Sequence, residues 1–255
     1  MTFDVVGAAY DRYMGRYSTK LAPQFVELAG ITSGMYVLDV GCGTGALTAE
    51  LVQRCGPARV AAVEPSQPLL DAARARFPGV DIRHAPAERL PFADGELDAA
   101  LAQLVLAFVT DADAAAAELK RVVRPGGIVA ACMWQAGELQ LADIFWRAAA
   151  QTVDPSLRDR EASMPFRKQG DIAALWKRAG LRNVQESMLE VTTRYQDFDD
   201  FWQPMLNAAG PIGAFMKTAD AATTARLRDA CFDLLGRPAQ PFELRARACA
   251  ARALV

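Results

Sequence analysis

Val37-Leu38-Asp39-Val40-Gly41-Cys42-Gly43-Thr44-Gly45 is a short apolar run that ends in three glycines at alternate positions. The run reads as a strand buried on both faces, and Ala46–Cys55 after it reads as a helix. Glycines in the intervening turn admit backbone angles closed to other residues and let a ligand approach the main chain without meeting a Cβ. The turn alone does not settle which ligand. With Ala46 three residues after Gly43 it also fits the dinucleotide pattern G-x-G-x-x-G/A.

Two carboxylates discriminate. Asp39 lies at the strand end, two residues before Gly41, where it would penalise a pyrophosphate and suit a cationic ligand such as a sulfonium bearing an ammonium group. Glu64 stands 19 residues after Gly45, at the tip of the second expected strand. In a doubly wound sheet that position lies beside the first loop, where a carboxylate can accept both hydroxyls of a ribose. The competing reading has Asp39 capping a turn and Glu64 merely ending a strand; the order strand, loop, helix, strand, acid favours the first.

Working outward, Tyr36–Val40, Val60–Val63, Leu97–Ala102 and Ile128–Cys132 read as buried strands, with a shorter candidate at Val80–His84. Ala46–Cys55, Pro68–Phe77 and Ala112–Val123 read as the helices between them, and Arg124-Pro125-Gly126-Gly127 ends the last helix and turns the chain. Alternation of this kind predicts right-handed crossovers and an α/β, doubly wound, mostly parallel seven-stranded sheet, Rossmann-like. Before it, helices are expected at about 3–14 and at Ser18–Leu28, separated by a turn at Gly15, with Ser18 as N-cap. After Trp134 the rhythm breaks. Helices are expected at 138–150 and 170–179, a strand at Gln185–Arg194, a helical insertion from Asp197 to Leu235, and a closing strand at Phe242–Val255.

Composition narrows the function classes. The 255 residues are 52% hydrophobic, so one sizeable core is expected. Lys+Arg number 28 against Asp+Glu 30, a net charge of −2, with no basic stripe to bind nucleic acid. Five scattered cysteines without a CxxC pair argue against a disulfide framework or zinc site, and His84, the one histidine, removes most metal constellations. No signal peptide is visible at Met1-Thr2-Phe3-Asp4 and no apolar run of about 18 residues could span a bilayer, so a cytoplasmic location is expected.

The glycine segment resembles motif I of class I S-adenosylmethionine (SAM) dependent methyltransferases, in particular the type-11 methyltransferase domain of enzymes related to ubiquinone and menaquinone biosynthesis. Ala61-Ala62-Val63-Glu64-Pro65-Ser66, the run Ala87-Glu88-Arg89-Leu90-Pro91-Phe92 through Asp98, and Leu119-Lys120-Arg121-Val122-Val123-Arg124-Pro125-Gly126-Gly127 follow in the family's order. Tyr10-Asp11-Arg12-Tyr13-Met14-Gly15-Arg16-Tyr17-Ser18 also looks like a segment of relatives. The resemblance is good over roughly residues 8 to 134 and loose beyond. It implies one methyltransferase domain with a helical cover at 1–34, a SAM-binding core at 35–134, and acceptor-side helices and closing strands at 135–255.

The resemblance implies SAM as cofactor, with Glu64 and Pro65 at the ribose and Asp39, Gly41, Cys42, Gly43 and Gly45 around the methionine part. It implies Ala87 and Glu88 near the adenine, and Gln103 and Leu104 facing the methionine part and the reacting methyl. Two positions depart from the family: Pro86 replaces an acidic residue that often reads the adenine amino group, and Ala107 stands where a histidine is common. Tyr10, Tyr13 and Tyr17 lie on a segment that in the family folds over the cofactor, where an aromatic face would favour a sulfonium. Packing on the sheet explains each of them equally well. Arg16 could pair with the cofactor's carboxylate.

Methyl transfer is an in-line displacement that chiefly needs alignment and exclusion of water, so no fixed triad is required. Catalytic candidates are Tyr13, Tyr17 and Gln103. Trp134, Trp146, Phe166, Trp202, Phe215 and Met216 are candidates for an acceptor pocket, with core packing as the competing account. The expected partner is a small-molecule methyl acceptor, without nucleic acid, membrane span or metal, and with a homodimer left open. The alternatives are an NAD-dependent oxidoreductase, disfavoured by Asp39 and the lack of a Tyr-x-x-x-Lys arrangement, and a non-catalytic SAM-binding protein.

Overall fold

A computed structural model describes residues 10–160, 163–208 and 210–255. Seven strands form one sheet in the order β3-β2-β1-β4-β5-β7-β6. They are β1 (Val37–Val40), β2 (Val60–Val63), β3 (Asp81–Arg83), β4 (Leu97–Gln103), β5 (Val123–Leu139), β6 (Arg182–Tyr195) and β7 (Phe242–Leu254). The first five are parallel, and β7 runs antiparallel between β5 and β6. The order reverses direction at β1 and β4, so a crevice opens where their carboxyl ends diverge.

The α-helices are α1 (Arg16–Ala29), α2 (Ala46–Cys55), α3 (Gln67–Arg76), α4 (Ala112–Val122), α5 (Gln140–Thr152), α6 (Asp171–Arg178), α7 (Phe198–Trp202), α8 (Gly210–Met216) and α9 (Ala221–Leu234). One sheet face buries α1, α2, α5 and the insertion; the other packs α4 and α6. The doubly wound, mostly parallel seven-stranded sheet agrees with the expectation, including the alternation through residue 134.

Two local expectations at the N-terminal end are corrected. There is no turn at Gly15: a π-helical turn, Asp11–Gly15, runs directly into α1, and Gly15 itself has helical angles (φ −57°, ψ −35°). The helical phase survives because Tyr13, Tyr17, Leu21 and Phe25, four residues apart, bury one stripe across it. Ser18 is consequently inside the helix and not at its N-cap; its Oγ donates back to the carbonyls of Met14 (3.2 Å) and Gly15 (3.4 Å). Residues 3–9 of the expected first helix lie outside the described residues.

The Arg124–Gly127 turn is taken up into β5 as an irregularity, its register against β4 jumping from Val123 opposite Leu97 to Ile128 opposite Ala99. Glycine is required there: a Cβ on Gly127 would lie 2.6 Å from the Asp98 carbonyl oxygen and 2.4 Å from Val123 Cγ1. The closing strand β7 does not take the edge. It sits inside, and β6 is the edge strand. No described helix is long and apolar enough to cross a membrane.

Candidate functional site

The loop after β1 is shaped by three left-handed glycines, Gly41 (φ 70°), Gly43 (φ 57°) and Gly45 (φ 91°). Gly41 and Cys42 donate their N–H groups to the Val63 carbonyl at 2.8 and 3.0 Å, which binds the loop to the end of β2. Gly43 donates to Glu64 Oε2 (2.8 Å), and Ser66 donates to Oε1 (2.9 Å). Burial raises the Glu64 pKa, and these two donors partly offset that. His84 Nε2 lies 2.8 Å from the Pro65 carbonyl, so the chain's one histidine is engaged outside the loop.

Asp39 is 1% exposed beneath the loop and accepts from Thr48 Oγ1 at 2.6 Å. Burial first, and the neighbouring Glu64 charge second, push its pKa up to about 7. A pocket of about 20 Å³ under the loop joins Asp39, Cys42, Ser18 and Gln103. Gln103, at the end of β4, donates Nε2 to the Ser18 carbonyl (3.1 Å), while its buried Oε1 has no hydrogen-bond partner among the described residues. A buried carbonyl oxygen without a donor costs about 1–3 kcal/mol. Leu104 next to it is a non-glycine residue at φ 63°, an unfavourable conformation held where β4 meets the crevice.

Above the loop lies a cavity of about 250 Å³. It gathers Gly41, Gly43, Glu64, Pro65, Ala87, Glu88, Gln103 and Leu104 from the sequence-predicted set. Glu88 also fastens the opposite wall, its Oε1 accepting the Thr110 N–H at 2.7 Å. Asp39 and Cys42 lie just below. Among the described residues lining this cavity the charged ones are both acidic, Glu64 and Glu88. With the orphaned Gln103 oxygen, that donor-poor, acceptor-rich lining fits a cationic ligand carrying hydroxyl and ammonium donors, and does not fit a pyrophosphate.

The remaining predicted residues fall elsewhere. Arg16 does not reach the cavity: its Nη2 lies 3.0 and 3.2 Å from the Asp200 carboxylate oxygens, and its guanidinium sits 4.5 Å from the Tyr195 ring centre. Tyr17 is fully buried, hydroxyl to hydroxyl with Tyr195 at 2.9 Å. Gly45 abuts Phe77 and caps α2, lining neither cavity. Tyr13 lines a second cavity of about 60 Å³, walled also by Met14, Trp134, Met164, Arg167 and Pro211. Of the aromatic residues expected to form an acceptor pocket, only Trp134, itself near the end of β5, lines it among the described residues. Trp146 and Phe215 pack edge to face, Trp202 stacks on Phe198 inside the insertion, and Phe166 joins the other face of the core.

Tyr10 is the residue whose importance the sequence understates. It lines both cavities, and with Leu104 and Phe108 it forms the boundary between them. Burial, then the Glu64 and Asp11 charges, hold its phenol well above the ordinary tyrosine range. Asp11 beside it accepts from Thr44 Oγ1 at 2.5 Å, which clasps the N-terminal turn to the glycine loop. Periodicity could not single out Tyr10 from Tyr13 and Tyr17; only the fold does.

The family model described as a methyltransferase domain matches residues 38–131. The chain is 31% identical over 186 residues to a malonyl-[acyl-carrier protein] O-methyltransferase of Geobacter sulfurreducens, spanning 72% of this chain and 67% of that one. It is 33% identical over 136 residues to a ubiquinone/menaquinone biosynthesis C-methyltransferase of Hahella chejuensis, spanning 49% of this chain and 55% of that one. In fold it is similar to the Haemonchus contortus phosphoethanolamine N-methyltransferase 2 in complex with SAM, at a TM-score of 0.58 and 16% identity over 97% of this chain and 56% of that one.

Proposed function

Because the chain belongs to the SAM-dependent methyltransferases, we propose that it transfers the methyl group of SAM to a small-molecule acceptor by in-line displacement. The observation that carries this reading is the pair of cavities, one acidic and beside the glycine loop, one apolar, meeting at Tyr10, Leu104 and Phe108. Bound in the first, SAM supplies an electrophilic methyl on a positively charged sulfur. The protein's part is to align and to shield.

In this reading Glu64 exchanges one of its backbone donors for ribose hydroxyls, and the Gly41–Gly43 backbone lies under the methionine part. Gln103 Oε1 receives the ammonium group, Ala87 and Glu88 flank the adenine, and Pro86 leaves adenine recognition to backbone groups and apolar contact. Asp39 supports the cation from below the loop. Tyr10 sits over the junction, where its ring face would favour the sulfonium. The two relatives named above differ by name in the atom methylated, oxygen in one and carbon in the other, so the acceptor atom is not inherited from them. A cytoplasmic small-molecule enzyme is the setting this reading expects.

Calorimetric titration with SAM, S-adenosylhomocysteine (SAH) and NAD tests it. SAM and SAH are expected to bind with a stoichiometry of about one per chain, and NAD not to bind. Saturable NAD binding without SAM binding would overturn the reading.

A further inference from the structure

The floor of the glycine loop holds more buried acceptors than its surroundings satisfy. Asp39 is 1% and Glu64 6% exposed. Gln103 is nine-tenths buried, and its Nε2 is committed to the Ser18 carbonyl, so Oε1 is the end left for a donor. That oxygen has no hydrogen-bond partner among the described residues. The pocket of about 20 Å³ that joins Asp39 to Gln103 is large enough for one small polar group. It shares Tyr10, Gly41, Gly43, Gln103 and Leu104 with the first cavity, so the two spaces meet at the same side chains.

Charge is out of balance there. No described residue lining either space is basic. Around Asp39, β2 brings Glu64, the loop brings the Cys42 thiol, and α2 brings the neutral Thr48, whose Oγ1 donates at 2.6 Å. The N-terminal turn brings Tyr10, whose phenol burial and carboxylate charge keep protonated, and Asp11, bonded to Thr44. The basic groups near the loop are placed elsewhere: Arg12 is exposed, Arg16 pairs with Asp200, Arg76 donates to the Thr44 carbonyl at 3.4 Å, and His84 sits at Pro65. Two buried carboxylates without a counter-charge do not both stay ionised at neutral pH. Asp39 is the more deeply buried, and its pKa is the one pushed up to about 7.

Resting on the reading of the first cavity as the cofactor site, we infer that Asp39 and Gln103 form a proton-exchange site for the cofactor's ammonium group: Asp39 releases its proton to solvent when Gln103 Oε1 receives the ammonium. One positive charge leaves as a proton and one arrives as ammonium, so the carboxylate is ionised only while its counter-charge is present. The coupling is reciprocal. Where Asp39 is protonated in the empty site, the ligand must displace that proton and affinity falls; where it is already ionised, nothing is displaced. The same exchange makes the site selective. A ligand with the nucleoside but no ammonium group has nothing with which to draw the proton out.

Calorimetric titration with SAH in two buffers tests this. At pH 7 binding is expected to be more exothermic in imidazole than in PIPES, because imidazole gives out more heat on taking up a proton, with roughly half a proton released per SAH. Between pH 5.5 and 7.5 the SAH affinity is expected to rise about threefold or more. Asp39→Asn is expected to remove both the buffer difference and the rise. 5′-Methylthioadenosine, which keeps the adenine and the ribose but has no ammonium group, is expected to bind the wild type without releasing a proton. Equal enthalpies in the two buffers, a smaller rise with pH, or a buffer difference that persists in Asp39→Asn would overturn the inference. Proton release with methylthioadenosine would overturn it too, and would assign the proton to Glu64 at the ribose. If Asp39→Asn no longer binds SAH, the wild-type comparison of the two ligands decides. Failure of SAH to bind the wild type counts against the cofactor reading instead, so the two failures are distinguishable.

Discussion

Glu64 accepts two backbone N–H groups, and this makes the consequence of its loss calculable. Glu64→Ala removes the carboxylate proposed to hold the ribose and strands the Gly43 and Ser66 donors. Charge-assisted hydrogen bonds are worth about 1.5–3 kcal/mol each, so SAM affinity should fall by roughly ten- to a hundredfold, read by calorimetry alongside a thermal melt. Unchanged affinity in a folded variant would place the ribose elsewhere. Asp39 carries a pH prediction. Its pKa of about 7 in the fold lies above the ordinary 3.8, so between those values the folded chain keeps a proton that the unfolded chain has lost. Stability from this group is therefore full below about pH 4 and declines as pH rises to about 7, by at most roughly 4 kcal/mol. Asp39→Asn should flatten that decline and melt higher than wild type at pH 8. If the two melting curves run parallel from pH 4 to 8, the carboxylate ionises as freely in the fold as outside it.

At the scale of elements, the site is an N-terminal turn clasped to a loop on one side and to an insertion on the other. The loop side was legible: β1, the glycines, α2 and Glu64 are close in sequence, and their spacing follows from one strand–turn–helix–strand unit. The insertion side was not. Arg16 and Asp200 are 184 residues apart, and nothing local to either announces the pair. Ser18 reads as an N-cap in sequence because the hydroxyl that suits a helix N-cap equally suits a bond back to the preceding turn. The pairing changes what Arg16 should do. Its side chain and that of Asp200 are 24% and 30% exposed, so the ion pair, discounted for solvent, and the contact with Tyr195 together contribute about 1 kcal/mol. Arg16→Gln should lower the melting temperature by a few degrees and leave SAM affinity within twofold. A tenfold loss of affinity would return Arg16 to the cofactor's carboxylate.

Across the whole molecule, the proposed cofactor half and the proposed acceptor half are built differently, and that difference decides what sequence can reveal. The first is backbone geometry at the carboxyl ends of β1, β2 and β4, fixed by topology. The second is assembled from Tyr10, Leu104, Trp134, Met164, Arg167 and Pro211, which no periodicity brings together. The Asp11–Thr44 clasp and Tyr10 couple the halves, so ligand bound in the first cavity should tighten the turn that walls the second. SAH at one hundred times its dissociation constant stabilises a fold that alone binds it by about 2.7 kcal/mol. For a chain of this length that corresponds to a rise in melting temperature of roughly 5–10 °C. Hydrogen exchange should localise the effect: slowed exchange in residues 10–18 and in the Gly41–Gly45 loop, with α9, none of whose residues lines either cavity, unchanged. A melting shift of that size with no slowing in residues 10–18 would mean that the cofactor binds without engaging the N-terminal turn, and that the two cavities are filled independently.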